Sequence, residues 1–305
     1  MDHTKRILFL FLDGVGIGKK NQRDNPFLTG NMPVYQSLLG GEMPTLHDAY
    51  RNRVEMTFKP INATLGVSGL PQSGTGQAAL LTGVNTAKVI GKHFGPHLYS
   101  TLKAIVSEQN IFRVLQTNNK KALYANAFPR QFFDYLQSPR YRTTAIVHAW
   151  LSTGNKLNDH DSLRASLSLS ADITNERWHK LGYPDISAIT PQEAGMRLVN
   201  LTDYYDFVFF EYYFTDHAGH SRSVGEAIEV LQRLDGLIEG ILKKIDSESV
   251  LFLMTSDHGN IEDISTKSHT RNPVPFLAVG KHHKRFAKNI TRITDVAPAI
   301  INMLI

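Results

Sequence analysis

Acidic and histidine side chains follow three apolar segments of this sequence, each at the point where the segment ends. The segments have the length and β-prone composition of strands that are buried on both faces of a sheet. Because open α/β sheets bind ligands outside the carboxyl ends of their strands, these side chains are candidates for one shared site. They are Asp13 after residues 6–12, Asp216 and His220 after residues 206–212, and Asp257 and His258 after residues 250–254.

The stretch from Val250 to Phe276 adds one more candidate ligand, His269, in the loop that follows Asp257 and His258. Imidazole and carboxylate groups together suit Zn²⁺ or Mn²⁺. These six groups exceed what one tetrahedral ion needs, so the set predicts two divalent ions. Two ions roughly 4 Å apart would hold the attacking and leaving oxygens of a phosphoryl transfer.

A serine with small neighbours lies in a second informative stretch, Gln72-Ser73-Gly74-Thr75-Gly76-Gln77. The glycines allow a ligand to approach the backbone closely, and the Ala-Ala-Leu-Leu run that follows predicts a helix. Ser73 alone is most simply interpreted as the N-cap of that helix. The alternative is an anion site at the helix N-terminus, where a serine hydroxyl bound to a metal ion would be an activated nucleophile.

Strand and helix patterns alternate along the chain, which predicts an α/β fold with a largely parallel, doubly wound sheet. Thr190 and Glu193 have the spacing of a capping box at a helix start. Residues 224–245 have the periodicity of an amphipathic helix whose apolar face packs on the core. A helix over residues 98–115 and a last strand over residues 274–279 complete the prediction.

The length of the chain, 305 residues, is enough for one large core with or without a smaller lid. We expect a single α/β domain over residues 1–305. Residues 129–184 are its least regular part, rich in aromatic, basic and small polar side chains. We interpret this segment as a small lid or insertion over the site, and as the part that determines substrate specificity.

The composition excludes several classes of function. Since the chain contains no cysteine, disulfides, cysteine-ligated zinc sites and thiol nucleophiles are ruled out. The net charge of +5 is mild and its basic residues are spread along the chain, which favours an anionic small substrate over nucleic acid. No apolar run reaches the ~20 residues of a membrane span. We therefore expect a cytoplasmic protein without a membrane or nucleic-acid partner, and the oligomeric state is left open.

The motifs, in their order along the chain, resemble those of the alkaline phosphatase superfamily. They are Asp13-Gly14, Ser73-x-x-Gly76, Asp216-x-x-Gly219-His220, Ser256-Asp257-His258-Gly259-Asn260 and His269-Thr270-x-Asn272-Pro273-Val274-Pro275. The similarity is greatest to the branch that holds cofactor-independent phosphoglycerate mutase and phosphopentomutase. It covers residues 1–90 and the chain from residue 206 onward, including the closing segment from Thr294 to Pro298.

The resemblance implies a three-layer α/β fold of the alkaline phosphatase type and two divalent ions, Mn²⁺ or Zn²⁺, with Mg²⁺ as an alternative. It also implies which residues hold each ion. The first ion would be held by Asp216, His220 and His269. The second ion would be held by Asp13, Asp257, His258 and the hydroxyl oxygen of Ser73, which is also the implied nucleophile. Asn25 is a further candidate, for a contact with the substrate.

Two departures from the mutases bear on the reaction. Gln77 stands where these mutases have a histidine, and the intervening segment is far shorter than the substrate domain of phosphoglycerate mutase. Because a mutase must keep water from its phospho-enzyme, we expect a two-metal phosphoesterase or phosphotransferase that acts on a small phosphorylated metabolite through a phosphoserine at Ser73. One alternative is a phosphomutase of the phosphoglycerate or phosphopentose type. Another is a non-catalytic, metal-binding sensor of a phosphorylated ligand.

Overall fold

A seven-stranded sheet lies between two layers of helices in the computed structural model, which describes residues 6–305. The predicted three-layer α/β fold is confirmed for these residues, and residues 1–5 of the predicted domain lie outside them.

The strands are β1 Arg6–Leu12, β2 Arg51–Asn52, β3 Met56–Ile61, β4 Ala122–Tyr124, β5 Asn126–Ala127, β6 Leu169–Ser170, β7 Phe207–Tyr212, β8 Val250–Ser256 and β9 Val274–Val279. The α-helices are α1 Pro33–Leu38, α2 Ser73–Thr82, α3 Thr86–Ile90, α4 Lys103–Gln109, α5 Ile111–Thr117, α6 Arg130–Leu136, α7 Ala145–Ser152, α8 His160–Arg164, α9 Glu176–Lys180, α10 Pro191–Leu201, α11 Phe214–Ser221, α12 Val224–Lys244, α13 His283–Ala287 and α14 Val296–Leu304. Short 3₁₀ helices lie at Pro26–Leu28, Ser100–Leu102 and Ile293–Asp295.

The sheet is mixed. Strands β4, β7, β1 and β8 run parallel in that order, and β9, β3 and β2 continue the sheet with antiparallel pairing. The parallel part agrees with the prediction, and β9 forms where a last strand was predicted. Its antiparallel direction follows from its connection, because residues 257–273 lead from β8 to β9 without a helix. A parallel pair needs a longer crossover, which is usually helical.

Strands β1, β7 and β8 end level with one another. Leu12 pairs with Tyr212 of β7 and with Ser256 of β8. The residues that follow these three therefore leave the sheet at one edge, outside the carboxyl ends of parallel strands. This is the edge at which sheets of this kind bind ligands.

Alternate residues of β1 face opposite helix layers, so both faces of the sheet are buried. Ile7, Phe9 and Phe11 belong to a core that also contains residues of α2, α5, α7 and α14. Leu8 and Leu10 belong to a second core, with residues of α10 and α12. Burial on both faces explains why the sequence of β1 is a continuous apolar run rather than an alternating one.

The helix predictions have different outcomes. Thr190 and Glu193 form the predicted capping box of α10, and α12 begins at Val224 as predicted. The helix predicted over residues 98–115 is instead divided between a 3₁₀ turn, α4 and α5. Asn110 divides it, because its backbone is extended and its side chain caps the start of α5. Among the described residues, no helix combines the length and apolar character that crossing a membrane requires.

Residues 129–184 divide between the main core and a smaller one. Helix α7 is buried in the main core, where the rings of Trp150 and Phe112 meet edge to face at 5.3 Å. Leu163 and Trp178 instead belong to a small cluster of their own. The segment therefore has one structural helix and several short elements around it, and its role as a lid stays a prediction.

Candidate metal centre

The structure brings Asp13, Asp257 and His258 together at the ends of β1 and β8. Nε2 of His258 lies 3.2 Å from Oδ1 of Asp13 and 3.5 Å from Oδ2 of Asp257. The three residues offer ligand atoms that all lie within 4.8 Å of one another. All three side chains are buried, so an ion held by them would be shielded from bulk water.

A second group of ligands forms on helix α11 and the loop of residues 257–273. Asp216 and His220 are four residues apart on α11, which places them on the same face of the helix. Nε2 of His220 lies 3.3 Å from Oδ2 of Asp216 and 3.1 Å from Nε2 of His269. Burial opposes the charge of Asp216, but the hydrogen bond from His220 and nearby charge outweigh it and lower the pKa of Asp216. The three residues that the resemblance assigns to one ion are thus adjacent.

Both histidines of this second group are oriented by main-chain carbonyls. Nδ1 of His269 lies 2.7 Å from the carbonyl oxygen of Pro71, and Nδ1 of His220 lies 2.8 Å from that of Lys267. Because a carbonyl only accepts, each Nδ1 carries a proton. Nε2 of His220 donates to Asp216 when its ring is protonated, and in the neutral ring each Nε2 keeps a free lone pair. Burial lowers the pKa of His269 to about 4, so its ring is neutral and able to bind a metal ion near neutral pH.

His258 lies between the two groups. Its ring stacks on the ring of His269, with centroids 3.9 Å apart. It can be grouped with Asp216 and His269 within 4.8 Å, as well as with Asp13 and Asp257. The resemblance assigns His258 to the ion of Asp13 and Asp257, and this division of the ligands stays a prediction.

The buried carboxylates of this centre are suited to bind a cation. Burial, followed by the neighbouring Asp13, raises the pKa of Asp257 well above its usual range. Oδ2 of Asp257 is buried and has no hydrogen-bond partner among the described residues. Burial opposes the charge of His258, but Asp257 and Asp13 outweigh it and raise the pKa of His258 to about 10. Buried carboxylates with an unpaired oxygen beside imidazole nitrogens therefore fit divalent ions.

Ser73 is the first residue of α2, and its hydroxyl is directed at the first group of ligands. Its Oγ lies 3.0 Å from Nε2 of His258 and 3.5 Å from Oδ1 of Asp13. The N-cap position belongs to Gln72, whose side chain makes no capping hydrogen bond. Ser73 is thus not the N-cap that the simpler interpretation predicted, and its hydroxyl belongs to the centre.

Sequence reasoning gave no role to the residues that hold these ligands in place. Gln77 donates a hydrogen bond from Nε2 to Oδ2 of Asp13 at 3.1 Å, and Asn260 donates one from Nδ2 to Oδ1 of Asp216 at 2.6 Å. Glu262 is buried and accepts hydrogen bonds from two main-chain N–H groups. A signal for Asn260 and Glu262 existed, because both follow His258 within four residues.

The predicted substrate residue Asn25 is not brought to this centre. Its side chain accepts a hydrogen bond from the N–H of Phe27 and donates one to the carbonyl oxygen of Lys19. The amide therefore caps the first 3₁₀ helix and closes its own loop, as asparagine commonly does at such turns. Its contact with a substrate stays a prediction.

A cavity of about 470 Å³ opens beside the centre. Asp13, Ser73 and Asp216 line part of its wall, and residues between Pro129 and Leu181 line another part. More than half of its lining residues are aromatic, aliphatic or proline. The metal-ligand groups, the serine hydroxyl and a largely apolar cavity thus form one continuous site.

Comparison with known proteins agrees with this geometry. The family model described as Metalloenzyme superfamily matches residues 184–305 of this chain. These residues include α11, β8 and most of the candidate ligands. Phosphoglycerate mutases named as 2,3-bisphosphoglycerate-independent are 29% identical over 129 residues in Antithamnion sp. and 32% identical over 133 residues in Pseudomonas savastanoi pv. phaseolicola. Each match covers 40% of this chain and 25% of the relative, so the matched part spans about a quarter of their length.

Solved structures share the fold over the whole chain. The alkaline phosphatase from the Antarctic bacterium TAB5 is 12% identical with a TM-score of 0.56, and the match covers 100% of this chain and 98% of that one. The PH0037 protein from Pyrococcus horikoshii is 15% identical with a TM-score of 0.58, over 100% of this chain and 98% of that one. The predicted resemblance is confirmed: part of the chain is similar to the Metalloenzyme superfamily and to 2,3-bisphosphoglycerate-independent phosphoglycerate mutases, and its fold is similar to that of an alkaline phosphatase.

Proposed function

We propose that this protein is a metal-dependent phosphoesterase that works through a phosphoserine at Ser73. The observation that carries the proposal is the place of the Ser73 hydroxyl, 3.0 Å from His258, at the start of α2 and on the wall of the cavity. The first N–H groups of a helix lack partners within the helix and favour anions, so a phosphoryl group on Ser73 would be stabilised there. The substrate would be a small phosphorylated compound.

Two divalent ions, Mn²⁺ or Zn²⁺ with Mg²⁺ as the alternative, would occupy the centre. One would be held by Asp216, His220 and His269. The other would be held by Asp13, Asp257, His258 and the oxygen of Ser73. Bound there, the ions would lower the pKa of the serine hydroxyl and offset the negative charge of the transferred phosphoryl group.

The reaction would consist of two substitutions at phosphorus. In the first, Oγ of Ser73 forms a bond to phosphorus while the bond from phosphorus to the leaving oxygen breaks. In the second, water attacks the phosphoserine, inorganic phosphate leaves and the serine hydroxyl is restored. Gln77 supports both steps, because its hydrogen bond to Oδ2 of Asp13 leaves Oδ1 directed at the Ser73 hydroxyl, 3.5 Å away.

A phosphomutase is the second candidate, and the names of the curated relatives favour it. A mutase would return the phosphoryl group from Ser73 to another oxygen of the substrate instead of to water. Such an enzyme must exclude water while the substrate reorients, and the chain matches only a quarter of the relatives' length.

A non-catalytic sensor of a phosphorylated ligand is the third candidate. The contacts of the Ser73 hydroxyl with His258 and Asp13 argue against it, since a sensor needs no nucleophile.

The test uses protein stripped of metal and then supplied separately with Mn²⁺, Zn²⁺ or Mg²⁺. Release of inorganic phosphate from a panel of phosphomonoesters is measured together with formation of isomerised product. We expect Ser73→Ala to lower turnover by about a thousandfold or more. Ser68→Ala, at an exposed serine just upstream, is the matched control and should leave turnover unchanged.

Each result of this test supports one of the three candidate functions. Free phosphate supports the phosphoesterase, and isomerised product without free phosphate supports the mutase. Metal-dependent binding of phosphorylated compounds without turnover supports the sensor. Full activity in Ser73→Ala would remove the nucleophile from the proposal.

We also propose a cytoplasmic location, with neither nucleic acid nor a membrane as partner. The mild net charge of +5 and the absence of a clustered basic stripe in the sequence support this.

A further inference from the structure

The cavity beside the metal-ligand groups is unusual for a site that would handle a small polyanionic metabolite. Aromatic side chains contribute much of its wall, from the end of β4, from α6 and α9, and from the start of α11. They are Tyr124, Phe128, Phe132, Trp178, Tyr213 and Phe214. A cavity of about 470 Å³ lies within the range that receives drug-sized ligands, which bury most of their surface in such sites.

The aromatic side chains are arranged in two groups. Phe128 and Phe132 are in contact, with ring centroids 4.5 Å apart, and they belong to the segment that leads into α6 and to α6 itself. Tyr213 and Phe214 stack at 4.9 Å, immediately before Asp216 on α11. The second group therefore joins the aromatic wall directly to the metal ligands.

Two polar groups of this aromatic wall are paired within the protein. The indole N–H of Trp178 donates to the hydroxyl of Ser170 at 2.7 Å, and the hydroxyl of Tyr124 donates to Oε2 of Glu211 at 2.5 Å. Their hydrogen-bonding groups are thus occupied within the protein. The partly exposed rings of Phe128, Phe132 and Phe214 offer a ligand ring surface, which favours flat or apolar groups.

The charged side chains that line the cavity include two arginines and Asp172. The arginines that line it, Arg142 and Arg177, are exposed, and the guanidinium of Arg177 lies over the ring of Phe214 at 4.9 Å. Asp172 accepts hydrogen bonds from the main-chain N–H groups of Asn175 and Arg177.

From this arrangement we infer that the substrate is a phosphomonoester whose alcohol carries an aromatic ring system, which the cavity receives while the phosphoryl group meets Ser73. This inference rests on the proposed function, because it names the substrate class of the same site. In-line attack places the leaving oxygen on the side of phosphorus opposite to Oγ of Ser73. The P–O bond to that oxygen breaks as the Oγ–P bond forms, and the departing alcohol takes its proton from solvent.

The first test is of binding and needs no turnover. Titration calorimetry on the Mn²⁺-loaded protein compares naphthylmethylphosphonate with methylphosphonate, two phosphonates that cannot be hydrolysed and differ in the aromatic group. We expect the aromatic phosphonate to bind at least about tenfold more tightly. Equal affinities would overturn the inference.

Variants on α6 locate the aromatic site. Phe132→Ala should remove most of the preference for the aromatic phosphonate, and Phe132→Leu should keep part of it because the side chain remains bulky. Phe133→Ala is the matched control, since Phe133 is the neighbour on the same helix and packs against the main core as Phe132 does, but does not line the cavity. A preference that is unchanged in a folded Phe132→Ala variant would overturn the assignment of this cavity.

Turnover separates this inference from the proposed function. Naphthyl phosphate and glycerol phosphate are compared by their kcat/KM for phosphate release. A preference in binding with turnover of neither compound would contradict the phosphoesterase and leave the aromatic site standing. Turnover of both at equal kcat/KM, with equal binding of the phosphonates, would contradict the aromatic site and leave the phosphoesterase standing.

Discussion

Asp257 occupies a position that a carboxylate can hold only with a compensating charge. Its side chain has no exposed surface, Oδ2 has no hydrogen-bond partner among the described residues, and Asp13 is a like charge nearby. The N–H of Gly14 donates to Oδ1 at 3.4 Å, a long hydrogen bond. An unpaired buried carboxylate costs several kcal/mol, which is a large part of the stability of a whole domain. A bound cation would therefore stabilise Asp257, together with the imidazole of His258 at 3.5 Å.

Glu211 is a buried carboxyl group of a different kind, because the resemblance does not assign it to a metal. Burial raises its pKa to about 8 from the ordinary 4.5, against the hydrogen bond from the hydroxyl of Tyr124. Between these two pKa values the folded chain keeps a proton that the unfolded chain has lost. The free energy of unfolding therefore falls as the pH rises through this interval.

We expect Glu211→Gln to remove this pH dependence while keeping an oxygen that accepts from Tyr124. The wild type and the variant should have similar stability near pH 5, and the variant should be the more stable above pH 8, by at most about 4 kcal/mol. Urea unfolding of the metal-free protein at several pH values measures this difference. Glu226→Gln, at an exposed position on α12, is the control and should follow the wild type. A constant difference between Glu211→Gln and the wild type at all pH values would contradict the prediction.

Three loops meet at one side chain, that of Glu262. Its Oε2 accepts hydrogen bonds from the N–H groups of Gly16 at 2.8 Å and Asn260 at 2.7 Å. Its Oε1 accepts from the hydroxyl of Thr270 and from the amide of Asn272 at 3.0 Å. The loop after β1, the loop after β8 and the segment that carries His269 are thus joined through a single carboxylate, which makes Glu262 a positioning residue for the ligands.

We expect Glu262→Gln to weaken this junction, because an amide nitrogen in place of one oxygen would face a donor. The variant should lose about 1–3 kcal/mol of stability and about tenfold or more in metal affinity. Asp263→Asn is the control, since Asp263 is the next residue along the same loop and bonds to Ser265 through Oδ1, which asparagine retains. Metal titration followed by calorimetry measures both effects. Metal affinity equal to the wild type in a destabilised Glu262→Gln variant would limit the residue to a structural role.

The sequence predicted the parts of the site that depend on local pattern. Continuous apolar runs identified β1, β7 and β8, and the residues at their ends lie together because parallel strands share an edge. Three features were not predictable in this way. Helix α11 follows β7 without a loop pattern, β9 turns back antiparallel, and Asn25 is used by its own turn. The aromatic cavity could not be predicted from the sequence either. Its aromatic wall comes from residues between Tyr124 and Phe214 that only the tertiary fold brings together.

At the scale of the whole molecule, the candidate ligands connect distant parts of the chain. They come from the end of β1, the start of α2, helix α11, the end of β8 and the loop before β9. Ions that bind only the folded chain stabilise it by RT ln(1 + [M]/Kd), about 2.7 kcal/mol at a hundred times the Kd. For a domain of this size that amounts to roughly 5 °C in the melting temperature.

We expect chelation to lower the melting temperature by about that amount, and re-addition of Mn²⁺ or Zn²⁺ to restore it. His220→Ala should lose much of the stabilisation by metal, because its Nε2 is 3.3 Å from Asp216 and 3.1 Å from His269. His217→Ala is the matched control, an exposed histidine on the same helix that lies outside the assigned ligand set, and it should keep the full response. Thermal unfolding of the wild type and both variants, with and without metal, measures this. An equal metal response in His220→Ala and His217→Ala would contradict the ligand assignment on α11, and no response in the wild type would contradict the metal centre itself.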